Sequence, residues 1–285
     1  MIAPADKAGE AIIFLHLPRT AGTTLNRLIE REYPLFDIYS VDPVFSRWSR
    51  ACLFGFSQRR LERFCVFKGH MPFGLHKRLP QPATYVAVMR RALERVISAY
   101  CFMSSYKLHP NYWKFRREGW TLEDFVRRSP RENVQTKMIA GADYDEPCTA
   151  EILAKAKENL RYFSVVGVAE RFEESLALMK LRFGWKLESY SSFNVNRRCQ
   201  RKRNLPQSTL ALITERNRFD IELYEYAAKR FQEAIDKNAA EVSENVRELQ
   251  GARIQEPLRS ALFSIGAAAR KAVNRAYSAA HNLHG

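Results

Sequence analysis

Residues 11–31, AIIFLHLPRTAGTTLNRLIER, predict a buried strand, a tight turn and a helix in immediate succession. Residues 11–17 form an almost continuous apolar run, as expected for a central strand that is covered on both faces. His16 is the one polar side chain in this run, and we expect it to be a satisfied core residue. Residues 19–24 form a turn of small and hydroxyl side chains, and apolar residues then recur at helical spacing from Leu25 onward.

The turn at residues 19–24 has the chemistry of an anion-binding site. The first turn of a helix leaves backbone N–H groups unsatisfied and carries the positive end of the helix dipole, and here threonine hydroxyls and the charge of Arg19 are added. The turn fits neither the G-x-x-x-x-G-K-[ST] pattern of Walker loops nor the G-x-G-x-x-G pattern of dinucleotide-binding folds. On this loop alone, an ordinary strand-to-helix turn capped by threonine is the alternative.

Three further apolar stretches, residues 64–67, 84–89 and 163–168, predict strands that alternate with helices. Strands separated by helical crossovers form parallel sheets with right-handed connections. We therefore predict an α/β fold with a central, mainly parallel sheet flanked by helices. The aromatic, turn-rich residues 33–57 are predicted to form loops and short helices over the sheet or over a substrate groove.

A histidine follows the second of these predicted strands. His70 lies between Gly69 and Pro72, and the carboxyl end of a parallel strand is where α/β enzymes place functional groups. This backbone can approach a ligand closely, so His70 is a candidate for chemistry. A hydrogen-bonded structural histidine is the alternative, and His76 and His109 are weaker candidates.

Arg90 stands at the end of the third predicted strand, and Ser98 lies on the helix that follows. A charge and a hydroxyl near the start of one helix can bind a single phosphate-like anion. The alternative for Arg90 is a surface salt bridge with Glu94. Farther along, residues 193–205 are strongly basic and predict either an ordered loop that faces a ligand or a solvated charge run.

The composition narrows the classes of partner. The chain has 285 residues, a net charge of +15 and a sequence pI of about 9.8, which favours nucleotides, acidic glycans, nucleic acid or anionic membranes. Its five cysteines are widely spaced and form no C-x-x-C, so we expect neither a disulfide framework nor a zinc site. We find no signal-peptide pattern and no apolar stretch of membrane-spanning length, so we expect a cytoplasmic protein.

The pattern along the chain predicts three regions. Residues 1–10 are an N-terminal lead-in, residues 11–236 the main domain, and residues 237–285 a C-terminal helical extension. Within the extension, residues 237–256 are polar and show no clear apolar face. Residues 257–280 are amphipathic and are expected to dock on the domain, to pair with a partner or to lie on an anionic membrane surface.

Four stretches occur in a set order along the chain. They are FLHLPRTAGTTL (14–25), FKGHMPFGLH (67–76), AVMRRALERVISAY (87–100) and FNVNRRCQRKRNLP (193–206). Together they resemble the carbohydrate sulfotransferase family that includes heparan sulfate 2-O-sulfotransferases and many small bacterial sulfotransferases. The resemblance covers roughly residues 11–235 and implies a P-loop-like three-layer sandwich.

The resemblance implies transfer of a sulfuryl group from 3′-phosphoadenosine 5′-phosphosulfate (PAPS) to an acceptor hydroxyl, without a metal ion. His70 matches the family's catalytic base, and histidine suits that task near neutral pH. Arg19 replaces the family's loop lysine, and it can stabilise negative charge but cannot readily give up a proton. The residues implied to bind PAPS are Arg19, Thr20, Ala21, Gly22, Thr23 and Thr24 at the 5′-phosphosulfate, Arg90 and Ser98 at the 3′-phosphate, and Arg197, Arg201 and Lys202 in the basic loop.

The resemblance also carries expectations about partners and setting. The family's R-D-P motif reads Arg90-Arg91-Ala92 here, which is expected to change how the following helix begins. The implied acceptor is a glycan or another hydroxylated molecule, acidic acceptors included, with the aromatic and basic residues 101–120 as a candidate lining. No nucleic-acid partner is implied. Because animal Golgi sulfotransferases carry an N-terminal membrane anchor, we expect a bacterial member of the family.

Two other function classes stay open on the sequence. A different nucleotide enzyme, such as a kinase, would share an anion-binding turn, although the Walker lysine pattern is missing here. A non-catalytic protein that binds nucleotides, other polyanions or a membrane surface would share the basic charge. Arg19 in place of lysine keeps a non-catalytic nucleotide binder open.

Overall fold

A sheet of five strands forms the centre of the computed structural model, which describes residues 9–41, 46–107, 109, 112–129, 131–187 and 205–253. The strands are β1 (Ala11–Leu15), β2 (Ile38–Val41), β3 (Val66–Gly69), β4 (Ala83–Met89) and β5 (Phe163–Val168). Their order is β2-β3-β1-β4-β5, and every neighbouring pair is parallel. This confirms the predicted parallel sheet and puts β1 in its middle.

Helices cover both faces of the sheet. They are α1 (Gly22–Glu32), α2 (Ser46–Gly55), α3 (Gln58–Leu61), α4 (Ala92–Ser105), α5 (Tyr112–Glu118), α6 (Leu122–Arg128), α7 (Val134–Ala140), α8 (Ala150–Asn159), α9 (Phe172–Phe183), α10 (Gln207–Arg216), α11 (Arg218–Lys237) and α12 (Ala239–Arg253). Short 3-10 turns lie at several of the connections between these elements.

The side chains of β1 alternate between two apolar clusters. Ile12 and Phe14 pack in the cluster that contains buried residues of α1, α9 and α12, whereas Ile13 and Leu15 pack in the cluster of α7 and α8. Because successive side chains of a strand point to opposite faces, these clusters lie on the two sides of the sheet. The chain is therefore a helix–sheet–helix sandwich, as predicted.

The strand order defines where a ligand site is expected. From β1 the chain continues to β2, at one edge of the sheet, and from β4 it continues to β5, at the opposite edge. In open parallel sheets, the crevice between two such connections lies at the carboxyl ends of the strands and is the usual ligand site. The loops after β1, β3 and β4 surround this crevice.

The edge strand β2 corrects the prediction of loops and short helices for residues 33–57. This strand has only four residues, and its ends are buried while its middle is more exposed. Such a short alternating segment has no long apolar run, so its pairing with β3 cannot be read from local sequence.

The helix α12 corrects a second expectation, that residues 237–256 lack an apolar face. Val242 and Leu249 are buried in the same cluster as α9, and Val246 packs against them. These three positions recur at helical spacing, four and three residues apart, so the apolar stripe is real but narrow. Residues 257–280 lie outside the described residues.

Cys101 is disulfide-bonded. The wide cysteine spacing does not predict this bond. Stable disulfides are typical of oxidising compartments, which does not favour the expectation of a cytoplasmic protein.

Within the described ranges, no helix is both long and apolar enough to cross a membrane, and no group of His, Cys, Asp and Glu side chains there could hold a metal ion.

We predict that Leu249→Ala destabilises the whole fold, because Leu249 is fully buried between α12 and the sheet-facing helices. Removing a buried leucine side chain costs about 3 kcal/mol of unfolding free energy, and urea denaturation measures this loss. Glu244→Ala, at an exposed position of the same helix, is the control and should change stability by less than about 0.5 kcal/mol. Equal stability of Leu249→Ala and the wild type would contradict the docking of α12.

Candidate functional site

The loop between β1 and α1 has a strained backbone. Arg19 and Ala21 have φ angles of 69° and 68°, in the left-handed region that favours glycine. Residues held there cost about 1–3 kcal/mol each, and they concentrate at functional sites. Thr20 between them is buried and donates its hydroxyl proton to the carbonyl oxygen of Leu17 at 2.9 Å. Left-handed residues of this kind turn backbone N–H groups into a concave anion-binding surface.

The N-terminus of α1 opens onto this loop. Ala21 occupies the N-cap position, and its methyl side chain cannot accept a hydrogen bond from the first turn of the helix. No acidic residue lies in that turn. The positive end of the helix dipole is therefore not offset by a capping side chain, which favours an external anion.

Arg19 joins this loop to α4. Its Nε donates to the Ser98 hydroxyl at 3.1 Å, and its guanidinium lies 4.5 Å from the centre of the Phe102 ring. Its own carbonyl oxygen accepts a hydrogen bond from a guanidinium nitrogen of Arg90 at 3.0 Å. The predicted binding residues Arg19, Arg90 and Ser98 thus meet in one place.

Two cationic groups lie side by side here. Burial, and then repulsion from Arg90, lower the pKa of Arg19. Burial also lowers the pKa of Arg90, while Glu170 opposes this change from a distance. In the part of the chain that the structure describes, neither guanidinium forms a salt bridge with a carboxylate. The alternative for Arg90, a salt bridge with Glu94, is therefore not formed, and the two arginines are suited to a bound anion.

A buried polar network holds the backbone of Arg90. The Gln135 side-chain amide accepts from the Arg90 N–H at 2.9 Å and donates to the Arg90 carbonyl at 2.8 Å. Asp220 on α11 accepts from the N–H and hydroxyl of Thr136 at 2.8 and 2.9 Å, and lies 3.5 Å from Arg95 on α4. Local sequence cannot reveal this network, because Asp220 lies far along the chain from the α7 residues that it contacts.

A carboxylate from another part of the fold contacts the start of α4. Arg91 is the N-cap of α4 and makes no side-chain capping bond. Its backbone N–H donates instead to a Glu170 carboxylate oxygen at 3.1 Å, and the other oxygen of Glu170 accepts from the Tyr224 hydroxyl. A carboxylate from beyond β5 therefore supports the helix start.

The base candidate His70 is held at the end of β3. Gly69 before it has a φ of 140°, and a Cβ atom there would lie 2.6 Å from the Val41 carbonyl oxygen, so only glycine fits. The His70 Nδ1 atom lies 2.7 Å from the carbonyl oxygen of His16. A carbonyl can only accept, so Nδ1 carries the proton and Nε2 of the neutral ring is an acceptor.

The charge state of His70 follows from its surroundings. Burial lowers its pKa, the bond to the His16 carbonyl opposes this, and Arg131 lowers it further. The ring is therefore neutral at neutral pH and can accept a proton at Nε2, as a general base must.

His16 lies outside the strand to which the sequence assigned it. β1 ends at Leu15, so His16 is the first residue of the loop and not part of the strand. Its ring stacks on His70 with a centroid distance of 4.2 Å and an interplanar angle of 29°. The one sequence signal for this position is that His16 is the only polar side chain in the apolar run of residues 11–17.

The remaining candidates lie elsewhere or outside the described residues. His76 Nδ1 lies 3.0 Å from the Tyr85 hydroxyl, within an aromatic cluster, so it serves that cluster. His109 packs edge-on against Phe102, near Arg19. The basic-loop candidates Arg197, Arg201 and Lys202 lie outside the described residues.

We predict that Gln135→Leu releases Arg90 and weakens binding of 3′-phosphoadenosine 5′-phosphate (PAP), the nucleotide that the resemblance implies. The change leaves the Arg90 N–H and carbonyl without partners, at a cost of about 1–3 kcal/mol of stability for each group. Calorimetry should show PAP affinity lowered by roughly tenfold or more, since a displaced charged contact is worth about 1.5–3 kcal/mol.

Gln81→Leu is the matched control, because the Gln81 side-chain amide likewise bonds to backbone groups. It donates to the carbonyls of Leu61 and Phe64, away from this loop. It should lower stability and leave PAP affinity unchanged. Equal effects of the two variants on PAP affinity would contradict a positioning role for Gln135.

We predict that acid destabilises the fold through His16 and His70. Burial lowers both pKa values below 6.5, so as the pH falls below 6.5 the unfolded chain takes up protons that the folded chain does not. Stability is complete above pH 6.5 and is lost toward the folded pKa values, by up to about 1.4 kcal/mol per pH unit for each histidine. Urea unfolding at pH 7.5 and 5.5 measures the loss, which should be smaller in His70→Gln. The same loss in that variant would contradict this origin.

Comparisons with known proteins identify the family of this chain. A family model described as galactose-3-O-sulfotransferase matches residues 3–276. Human galactose-3-O-sulfotransferase 2 is 24% identical over 206 residues, covering 67% of this chain and 52% of the human protein. The mouse protein of the same name is 20% identical over 288 residues, covering 86% of this chain and 70% of its own length. The chain thus spans about half the length of the human relative.

Among solved structures, mouse sulfotransferase SULT7A1 complexed with PAP is similar over 73% of this chain and 64% of its own, with a TM-score of 0.37 and 11% identity. The family assignment rests on the family model, which matches nearly the whole sequence. It confirms the resemblance to carbohydrate sulfotransferases. The chain belongs to the galactose-3-O-sulfotransferase family.

Proposed function

We propose that this protein transfers a sulfuryl group from PAPS to a hydroxyl of a carbohydrate. The observation that carries the proposal is the fixed orientation of His70, whose Nδ1–H is bonded to the His16 carbonyl and whose Nε2 is left as an acceptor. This base lies at the end of β3, next to the loop that follows β1. A base and an anion-binding loop side by side are what transfer from an anionic donor to a hydroxyl requires.

The donor PAPS fits the loop and the two arginines. We assign the 5′-phosphosulfate to residues 19–24, where left-handed backbone and the α1 N-terminus favour an anion. We assign the 3′-phosphate to Arg90 and Ser98. Thr20 contributes through its backbone, since its hydroxyl is bonded within the loop. Arg19, which touches Ser98 and Arg90, lies between the two assignments.

The transfer step assigns a role to each of these groups. The acceptor oxygen forms a bond to sulfur while Nε2 of His70 takes the hydroxyl proton. The bond from sulfur to the phosphate oxygen breaks, and its electron pair stays on that oxygen, so PAP leaves. Arg19 and the helix terminus stabilise this growing negative charge, and Arg19 keeps its own proton. We propose no metal ion for the step, because two guanidinium groups and a helix dipole supply the positive charge.

We propose galactose as the sugar that carries the acceptor hydroxyl, at its 3-position. Both the family model and the curated relatives are named for that position. The net charge of +15 is compatible with acidic glycans as well as neutral ones. The cytoplasmic and bacterial assignments stay predictions, since the two relatives are human and mouse proteins.

The proposal predicts that radiolabelled sulfate passes from PAPS to galactose-terminated glycans, and that His70→Ala removes this transfer. Loss of a general base lowers kcat by roughly 10²–10⁴-fold, while PAP affinity should stay within about threefold of the wild type, because His70 serves the acceptor and not the nucleotide. His76→Ala is the control and should keep kcat, since His76 is bonded within the aromatic cluster.

Full transfer by His70→Ala would exclude His70 as the base. A wild-type protein that binds PAP but transfers to no glycan would instead be a non-catalytic nucleotide binder. The presence of Arg19 at the position of the family's lysine is compatible with that alternative.

A further inference from the structure

A series of hydrogen-bonded polar side chains connects His16 to a buried ion pair. Lys68 on β3 is 4% exposed and lies 2.6 Å from a Glu30 carboxylate oxygen. Its ammonium also donates to the Asn26 side-chain oxygen at 3.4 Å. The Asn26 side-chain nitrogen lies 3.1 Å from Nδ1 of His16. The proposed function uses none of Glu30, Lys68 or Asn26.

The order of donors and acceptors in this series of side chains fixes the tautomer of His16. Lysine can only donate, so the atom of Asn26 that it contacts is the amide oxygen. The amide nitrogen of Asn26, also only a donor, then faces His16, and Nδ1 must accept. The proton of the neutral His16 ring is therefore on Nε2, the opposite arrangement from His70.

The charge state of His16 is also fixed. Burial lowers its pKa well below the ordinary value, and His70, Lys68 and Arg19 each add to this in that order. A neutral ring with Nδ1 bonded and Nε2 protonated can only donate at Nε2. His16 is therefore not a second base.

The Nε2 edge of His16 faces the anion-binding loop. A Cβ atom on Gly22, the first residue of α1, would come within 2.0 Å of Cδ2 and 2.1 Å of Nε2 of the ring. The face of the same ring stacks on the His70 ring. His16 thus lies between the base and the helix terminus, where the proposed function places the group in transfer. The absence of a side chain at Gly22 is what gives the ring this room.

We propose that His16 is a second functional histidine, which donates a hydrogen bond from Nε2–H to the sulfuryl group while Asn26, Lys68 and Glu30 hold its tautomer. This inference rests on the proposed function. A preorganised neutral donor at a point of developing charge stabilises the transition state without titrating near neutral pH. The two stacked rings then have different roles. His70 accepts the proton of the acceptor hydroxyl, and His16 donates a hydrogen bond to the sulfuryl group.

The test replaces His16 with Phe, which keeps a flat ring against His70 and removes the donor. Because the His70 Nδ1–H is bonded to the backbone carbonyl of residue 16, the base keeps its partner in this variant. We expect kcat to fall by about 10²-fold or more, as for loss of one transition-state donor. Without any acceptor, calorimetry should show PAPS binding weakened at least tenfold more than PAP binding, since PAP lacks the sulfuryl group.

His76→Phe is the matched control, and it should change neither kcat nor the ratio of PAPS to PAP affinity. Equal losses of PAPS and PAP affinity in His16→Phe, or an unchanged kcat, would overturn the role of His16. Absence of PAP binding by the wild type would instead overturn the proposed function itself, so the two failures are distinct.

A second measurement on the wild type needs no variant to fold. Nitrogen-15 NMR of the histidine rings distinguishes the two neutral tautomers and the imidazolium. We expect His16 as the Nε2–H form and His70 as the Nδ1–H form at pH 7.5. An Nδ1–H or doubly protonated His16 would overturn the proposal.

Discussion

The hydrogen bond between the His70 ring and the His16 carbonyl connects the two halves of the site. It joins the end of β3 to the first residue after β1, strands that already pair in parallel. Because a backbone carbonyl accepts this bond, the base is oriented by the fold itself and not by another side chain. The orientation therefore depends on the register of β1 and β3, which the apolar packing of β1 on both faces maintains.

The phosphate side of the site is supported in another way. Arg90 is positioned through its backbone by Gln135, and α4 is joined through Arg95 to Asp220. Asp220 and Gln135 are fully buried, and burying a charge is costly unless hydrogen bonds surround it. Apolar packing could hold these helices together, but it could not fix a main-chain N–H and carbonyl at the end of a strand. The polar network does so, and thereby leaves the Arg90 guanidinium available for an anion.

The sequence predicted the parts of the fold that follow local rules. Apolar runs revealed β1, β3, β4 and β5, and the ends of those strands revealed His70 and Arg90. It could not reveal contacts between distant segments, such as Gln135 with Arg90 or the pairing of the short β2. The role of His16 was not predicted for a further reason. The strand β1 ends at Leu15, two residues before the end of the apolar run, and local patterns do not resolve strand ends that finely.

The geometry around Arg19 has an evolutionary consequence. The Arg19 side chain donates to Ser98 through Nε, and its guanidinium lies over the Phe102 ring, contacts that suit the planar fork of a guanidinium. A lysine could not make both contacts at once. Positions 19 and 102 should therefore vary together among relatives, with an aromatic residue retained on α4 where the loop carries arginine.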